Sequence, residues 1–555
     1  MKFSLLRRRL SAVIVVFVLF GLVNAWDVID CFGCQAVDLP PVLFFFRSLW
    51  VAVRNFIGYT LIPVAFVFFL GRASRWILIP SFSFVVIEAI AAKYTGRVFH
   101  ASLSEEWLPL LLNTSVDEVS QFMGMVLTPI TIVGLLVLGM FLAVGTALIW
   151  RANYPGRTIA NFGWGIAALT PFIVFNCILM NLHFGVNQMR YTQFVFGGYF
   201  SWAQGSGIRN ACLTPNLPER IRTTVEIGDL PDCVFVLGES ATRNDWHLFG
   251  YSRYTTPRID EVCQAQNGGY AFSDVVGVLP VTDRALALLL TDVTFESPKV
   301  GNWNVAEVFR RAGYSCSLIS NQWGGKSKGS TLDIIFNGCA RRTSVFMTRK
   351  TKGRCFDENV VPLLEDEFSK ADGPMAVFIH LSGMHYPVKN AVPEQEKHYT
   401  NEMEGKELEG LSARMKDRIN RYDDAILYED KVLGRIIDVL KRRNRPTCMM
   451  FISDHGESPW AEDWRIYTEP AIYEVPMVIW LSDQYREKFP QTEKRIAQVK
   501  DRPFQSDELT DGLLELGQIE PLPNRTGKSF LSPDFQGRSP RLIDKGRIVY
   551  QRKEK

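Results

Sequence analysis

Long uncharged runs fill the first third of the chain, and short apolar runs alternating with amphipathic segments fill the rest. Leu10 to Trp26 carries no charge and follows Lys2, Arg7, Arg8 and Arg9. Further runs occupy roughly 56–70, 76–92, 124–150 and 158–180, near the length that crosses a bilayer. A cleavable leader ending near Val23-Asn24-Ala25 is the other reading of the first run. The four later runs favour a retained span. The N-terminal arginines, Arg72 with Arg75, and Arg151 with Arg157 fall at alternate crossings. The intervening segments 27–41 and 93–123 hold Asp27, Asp30, Asp38, Glu105, Glu106, Asp117 and Glu118. Basic loops stay cytoplasmic, so the pattern predicts a five-helix transmembrane bundle over 1–180 with everything after it outside.

Residues 181–228 read as a linker with an interfacial segment, given Tyr191, Phe194, Phe196, Tyr199, Phe200 and Trp202. From 229 to 555 the period changes. Strand-like runs stand at Cys233–Leu237, Cys316–Ser320, Met375–Leu381, Cys448–Ile452 and Val475–Leu481. Between them, Asn304 to Ala312 and Tyr422 to Arg443 have helical spacing. Such alternation predicts a mainly parallel sheet covered on both faces, an α/β/α sandwich.

Composition changes this picture little. A net charge of +3 over 555 residues gives no reason to expect a nucleic-acid partner. With the C-terminal part outside, most of the ten cysteines lie in an oxidising compartment where disulfides persist. Cys339 with Cys355 is the favoured pair, and Cys31 with Cys34 a second. Cys233 and Cys448 sit inside apolar strands and read as buried thiols.

Ligands in open α/β sheets gather where strands end. Val234 to Leu237 leads into Gly238-Glu239-Ser240, Ala376 to Ile379 leads towards Gly383-Met384-His385, and Met449 to Ile452 leads into Ser453-Asp454-His455-Gly456. Glu239, Asp454 and His455 offer two carboxylates and an imidazole, a set that suits Zn2+ and leaves one position open. Thr282 precedes the helical run Arg284 to Leu290. It reads either as an ordinary cap or as a nucleophile set at the positive end of a helix. Ala285 takes the place of a capping-box acid.

The stretches Val236 to Arg243 with Gly250 to Pro257, and Phe451 to Ser458, resemble signatures of the phosphoethanolamine transferase family, within the alkaline phosphatase and sulfatase superfamily. Tyr422 to Tyr428 and Cys355 to Asn359 are similar too, and so is the five-span first half. The resemblance implies an inner-membrane protein, expected as a monomer, with a periplasmic catalytic domain. It implies a zinc site of Glu239, Thr282, Asp454 and His455, with Thr282 as nucleophile and His385 assisting at the phosphate or a second metal. Lys328, Thr114 and Glu118 are implied in substrate binding, the last two at the ethanolamine headgroup. The donor would be phosphatidylethanolamine and the acceptor lipid A, a lipopolysaccharide core or a glycan. The family's later His-Gly is replaced here by the run Trp464 to Pro470, and Leu110 stands where an asparagine is usual.

A formylglycine sulfatase would need a Cys-x-Pro-x-Arg motif, which the sequence lacks. A glycerol-phosphate transferase and a non-catalytic envelope scaffold are the other readings, and metal analysis separates the scaffold from both.

Overall fold

A computed structural model of the protein describes residues 11–33, 60–98, 129–179 and 211–552, except 213–214, 265–266, 295–300, 323–330, 346–354, 386–387, 389–390, 401–407, 462–468, 524, 526 and 544–547. The chain divides into two compact units, Met1–Tyr199 and Phe200–Lys555.

The first unit is helical: α1 (Ser11–Gly33), a stretch over 60–70, α2 (Arg75–Val98), α3 (Pro129–Arg151) and α4 (Ile159–Leu179). The chain turns at Gly71–Ser74, where Gly71 has φ +52° and a Cβ would meet Pro155 O at 2.8 Å. Only glycine fits both the left-handed backbone and that approach. Ala12 N donates to Asn153 O at 3.1 Å, so α1 starts where α3 ends. Phe82 of α2 packs against Phe20 and Phe141, 5.6 and 5.7 Å between centroids, which runs α2 antiparallel to α3. The basic ends of these helices therefore lie together.

Thr60–Ile87 and Ile132–Arg151 are long and apolar enough to cross a bilayer, and Ala12–Val23 is a shorter apolar stretch. Val133, Leu136 and Met140 of α3 are 60%, 69% and 65% exposed, an apolar face that a bilayer would cover. α1 continues to Gly33 through Cys31, where the sequence suggested a loop from residue 27. Cys34, Thr114, Glu118 and the aromatic residues 191–202 lie outside the described residues.

The second unit is built on a seven-stranded sheet. Its strands are β1 (Asp232–Gly238), β2 (Gly269–Ala271), β4 (Ser315–Ser320), β5 (Arg341–Ser344), β6 (Met375–His380), β7 (Thr447–Ser453) and β8 (Met477–Leu481), while β3 (Val275–Val276) pairs elsewhere. The order is β2-β8-β7-β1-β6-β4-β5. Strands β7, β1, β6, β4 and β5 run parallel, and β8 and β2 each pair antiparallel with their neighbour.

Burial on both faces explains the unbroken apolar runs. Phe235 and Leu237 face a core with Leu286 and Leu289 of α5 (Thr282–Leu290) and Phe309 of α6 (Val305–Arg311). Val234 and Val236 face the other core, with Leu364 of α7 (Val360–Ser369) and Ile426 and Ile436 of α8 (Ala413–Lys441). Asn304 caps α6 by accepting from Glu307 N at 3.0 Å, and Gly313 follows it at φ +99°.

The same division of the cores overturns one cysteine expectation. Cys339 packs with the α5–α6 core and Cys355 with the α7–α8 core, so they stand on opposite faces of the sheet and are not joined. Cys233 and Cys448 are buried thiols, opposite one another in the β1–β7 register.

Candidate active site

Parallel pairing brings the carboxyl ends of four strands to one edge. In register, Leu237 stands between His380 and Ile452, Gly238 opposes Ser453, and Ser320 opposes His380. The residues following these positions are Glu239, Asp454, Asn321-Gln322 and the 381–385 loop.

Glu239, Asp454 and His455 are buried and offer one ligand atom each within 4.8 Å of one another. Gly238 lets β1 pass the ring of Phe451, which a Cβ would meet at 2.7 Å. Asp454 Oδ1 accepts from Ser240 N at 3.1 Å and from His455 N at 2.7 Å. Its Oδ2 is buried without a hydrogen bond. A buried carboxylate oxygen with no hydrogen bond, beside a second carboxylate, is costly without a cation, a role the His455 ring at 3.5 Å fills while it holds its proton. His455 Nδ1 donates to Gly456 O at 2.9 Å, which leaves Nε2 to face Glu239 Oε1 at 3.4 Å and Asp454 Oδ2 at 3.5 Å. Donor types, burial and this orphaned atom fit a zinc ion.

Thr282 begins α5, and Val281 rather than Thr282 is the cap. The threonine hydroxyl instead lies 3.1 Å from each Glu239 oxygen and 3.3 Å from His455 Nε2. Its oxygen thus stands beside the three candidate ligands at the positive end of α5.

The charges are interdependent. Burial opposes ionisation of Glu239, but the hydrogen bond and charge of His455, with the charge of His385 and the Gln322 amide, hold it below the carboxylate range. Asp454 is pushed up to about 7 by burial and by the Glu239 charge. For His455 burial disfavours the cation, yet Asp454 and Glu239 outweigh it and raise the imidazole to about 10. The cluster therefore retains protons that a metal ion would displace.

Two supporting residues escaped the sequence reading. Gln322, two positions past β4, donates through Nε2 to Glu239 Oε2 at 3.0 Å and to Leu381 O at 2.8 Å. Buried Asp357 accepts from Ser382 N and Gly383 N, both at 2.8 Å, and from Asn321 Nδ2 at 2.7 Å. It clamps the loop carrying His385 against β1, where Met384 N reaches Glu239 O at 3.0 Å. Tyr422 of α8 closes the far side by donating to Ser240 O at 2.6 Å and accepting from Thr242 N at 2.9 Å. Lys328 lies outside the described residues, as Thr114 and Glu118 do.

The family model described as Sulfatase matches residues 231–519. The phosphoethanolamine transferase EptC of Escherichia coli (strain K12) is 25% identical over 473 residues, 81% of either chain. CptA of Salmonella typhimurium, also named a phosphoethanolamine transferase, is 24% identical over 483 residues, again 81% of each. Among solved structures, the integral membrane protein EptA of Neisseria meningitidis, a lipooligosaccharide phosphoethanolamine transferase, shares the fold at a TM-score of 0.66 and 18% identity. It covers 94% of this chain and 96% of its own. The C-terminal periplasmic domain of EptC from Escherichia coli matches with TM-score 0.53 and 25% identity over 59% of this chain and 93% of that one. The same domain has been solved in complex with Zn. The family match spans more than half of the chain and all four clustered residues, and the chain belongs to the sulfatase family.

Proposed function

We propose that the protein transfers phosphoethanolamine from phosphatidylethanolamine to a cell-envelope acceptor (lipid A, a lipopolysaccharide core or a glycan) through a covalent intermediate on Thr282. The observation that carries this reading is the convergence of the Thr282 hydroxyl on Glu239 and His455 at the start of α5. The names of relatives covering four-fifths of the chain supply the transferred group.

Glu239, Asp454, His455 and Thr282 would hold zinc, which when bound lowers the pKa of the threonine hydroxyl and offsets charge building on the phosphoryl oxygens. The threonine proton is lost to water, and Thr282 Oγ, 3.1 Å from each Glu239 oxygen, attacks phosphorus as the alkoxide. The bond from phosphorus to the diacylglycerol oxygen breaks, and that oxygen takes a proton from His385. In the second half an acceptor hydroxyl attacks phosphorus, His385 takes its proton, and the bond to Thr282 Oγ breaks to restore the alkoxide. The helical unit would cross the inner membrane five times and leave the catalytic unit in the periplasm. Lys328, Thr114 and Glu118 are assigned to substrate, with Glu118 facing the ammonium of ethanolamine.

Mass spectrometry of envelope lipids and glycans from cells with wild type or Thr282→Ala tests this reading. One acceptor should gain phosphoethanolamine with the wild type alone. Equal modification by both proteins, or gain of glycerol phosphate instead, overturns it.

A further inference from the structure

The turn at residues 70–73 and the turn at 154–157 line an open cleft of about 500 Å³ in the helical unit. Arg72 and Arg157 both line it. Arg157 is anchored by donating Nε and Nη2 to Leu70 O, both at 3.4 Å, which leaves Nη1 out of these bonds. Beside the cavity, Arg75 lies over the rings of Trp150 and Tyr154, 5.5 and 4.9 Å to their centroids, and donates to Ala152 O at 3.1 Å.

The surroundings set the level of this cleft. Trp76 and Trp150 meet edge to face at 5.6 Å and are 73% and 47% exposed. Along α3, Leu148, Val144 and Met140 continue as exposed apolar side chains; beyond the tryptophans, Arg72, Arg151 and Arg157 are exposed. Tryptophan between an apolar band and a basic rim is the arrangement found at a membrane–water boundary.

We propose that this cleft binds the phosphodiester headgroup of an anionic glycerophospholipid, whose acyl chains lie along the exposed face of α3. Planar guanidinium groups match phosphate oxygens in geometry as well as charge. Basic pockets between helices on the cytoplasmic side, where the leaflet is anionic, suit such headgroups. The adjoining apolar face selects a lipid over a soluble phosphate. The proposal rests on the membrane-embedded reading of the helical unit and is independent of the chemistry at Thr282.

Native mass spectrometry of the full-length protein, released from detergent after exposure to phosphatidylglycerol, phosphatidylcholine or glycerol 3-phosphate, tests it. Wild type should retain phosphatidylglycerol over the other two probes. Arg72→Ala with Arg157→Ala should bind it roughly 30-fold more weakly, as two lost basic contacts imply. Replacing both by lysine should restore part of the binding, since the charge returns without the planar fork. Thr282→Ala should bind as wild type does, so failed transfer and failed lipid binding are told apart. Equal retention of the two lipids, equal binding by the alanine variant, or glycerol 3-phosphate bound as tightly as the lipid each overturns the proposal. If the alanine variant does not fold, a salt series on wild type decides: an electrostatic site weakens as salt rises, and an unchanged affinity contradicts it.

Discussion

The amide nitrogen of Gln322 lies 3.0 Å from Glu239 Oε2 and donates to it, while the same nitrogen is tethered to Leu381 O. Gln322 thereby fixes the carboxylate's orientation from the end of β4, across the intervening strand β6. Loss of an outer contact to a metal ligand costs about 10–100-fold in affinity. Gln322→Ala should therefore weaken zinc binding by roughly that factor without unfolding the domain, as read by chelator competition and circular dichroism. Unchanged affinity would remove Gln322 from this role.

Protons and metal compete at the site. Without an ion, Asp454 is raised to about 7 and His455 to about 10, so both hold protons at neutral pH or below. Both protons must leave for the groups to act as ligands, so zinc affinity should rise steadily from pH 6 to pH 8. Calorimetry in buffers of different ionisation enthalpy should register proton release on binding. An affinity flat across this range would contradict the charge assignment.

Backbone geometry at Gly383 gives a stability prediction. Its φ is +46°, and a Cβ there would sit 2.7 Å from Glu239 O. Gly383→Ala should cost roughly 1–3 kcal/mol from left-handed strain alone and displace Glu239. Gly373→Ala, where nothing lies within 4 Å, is the control and should be nearly neutral. Urea unfolding of the two variants compares them directly, and equal stability would show that the 382–385 loop is not held as described.

The ligand set makes metal identity testable. An imidazole with two carboxylates suits zinc, whereas magnesium favours an all-oxygen octahedral shell. Chelation should abolish transfer, zinc should restore it, and magnesium at equal concentration should not. Full activity after chelation would exclude a metal-dependent threonine.

What the sequence disclosed follows from what is local. Strands β1, β4, β6, β7 and β8 were legible because burial on both faces leaves an unbroken apolar run. Strand β2 (Gly-Tyr-Ala) and β5 (Arg341 to Ser344) were not, being short edge strands whose polar content matches a loop. The long helix α8 begins at Ala413, nine residues before its apolar stripe, because its first turns carry charge and only the Ser412 cap marks them. The clustering of Glu239, Asp454 and His455 could be anticipated, since strand ends in a parallel sheet share an edge, whereas Thr282 joins them from the start of α5 and was expected there only through the family resemblance. Gln322 could not be anticipated, because its contact to Glu239 depends on strand order, and Asp357 stood in the family-like tract Cys355 to Asn359 with nothing local to give it a role. The cysteine pairing failed for the same reason: flanking one loop does not reveal which face of the sheet each thiol takes.

The claim that Thr282 carries the transferred group is tested most directly by peptide mapping of the full-length enzyme after brief exposure to phosphatidylethanolamine with zinc and no acceptor. The account predicts a mass increase of one phosphoethanolamine group on the peptide containing Thr282, lost in Thr282→Ala and discharged when acceptor is added. A modification on another residue, or transfer at the wild-type rate by Thr282→Ala, would contradict it.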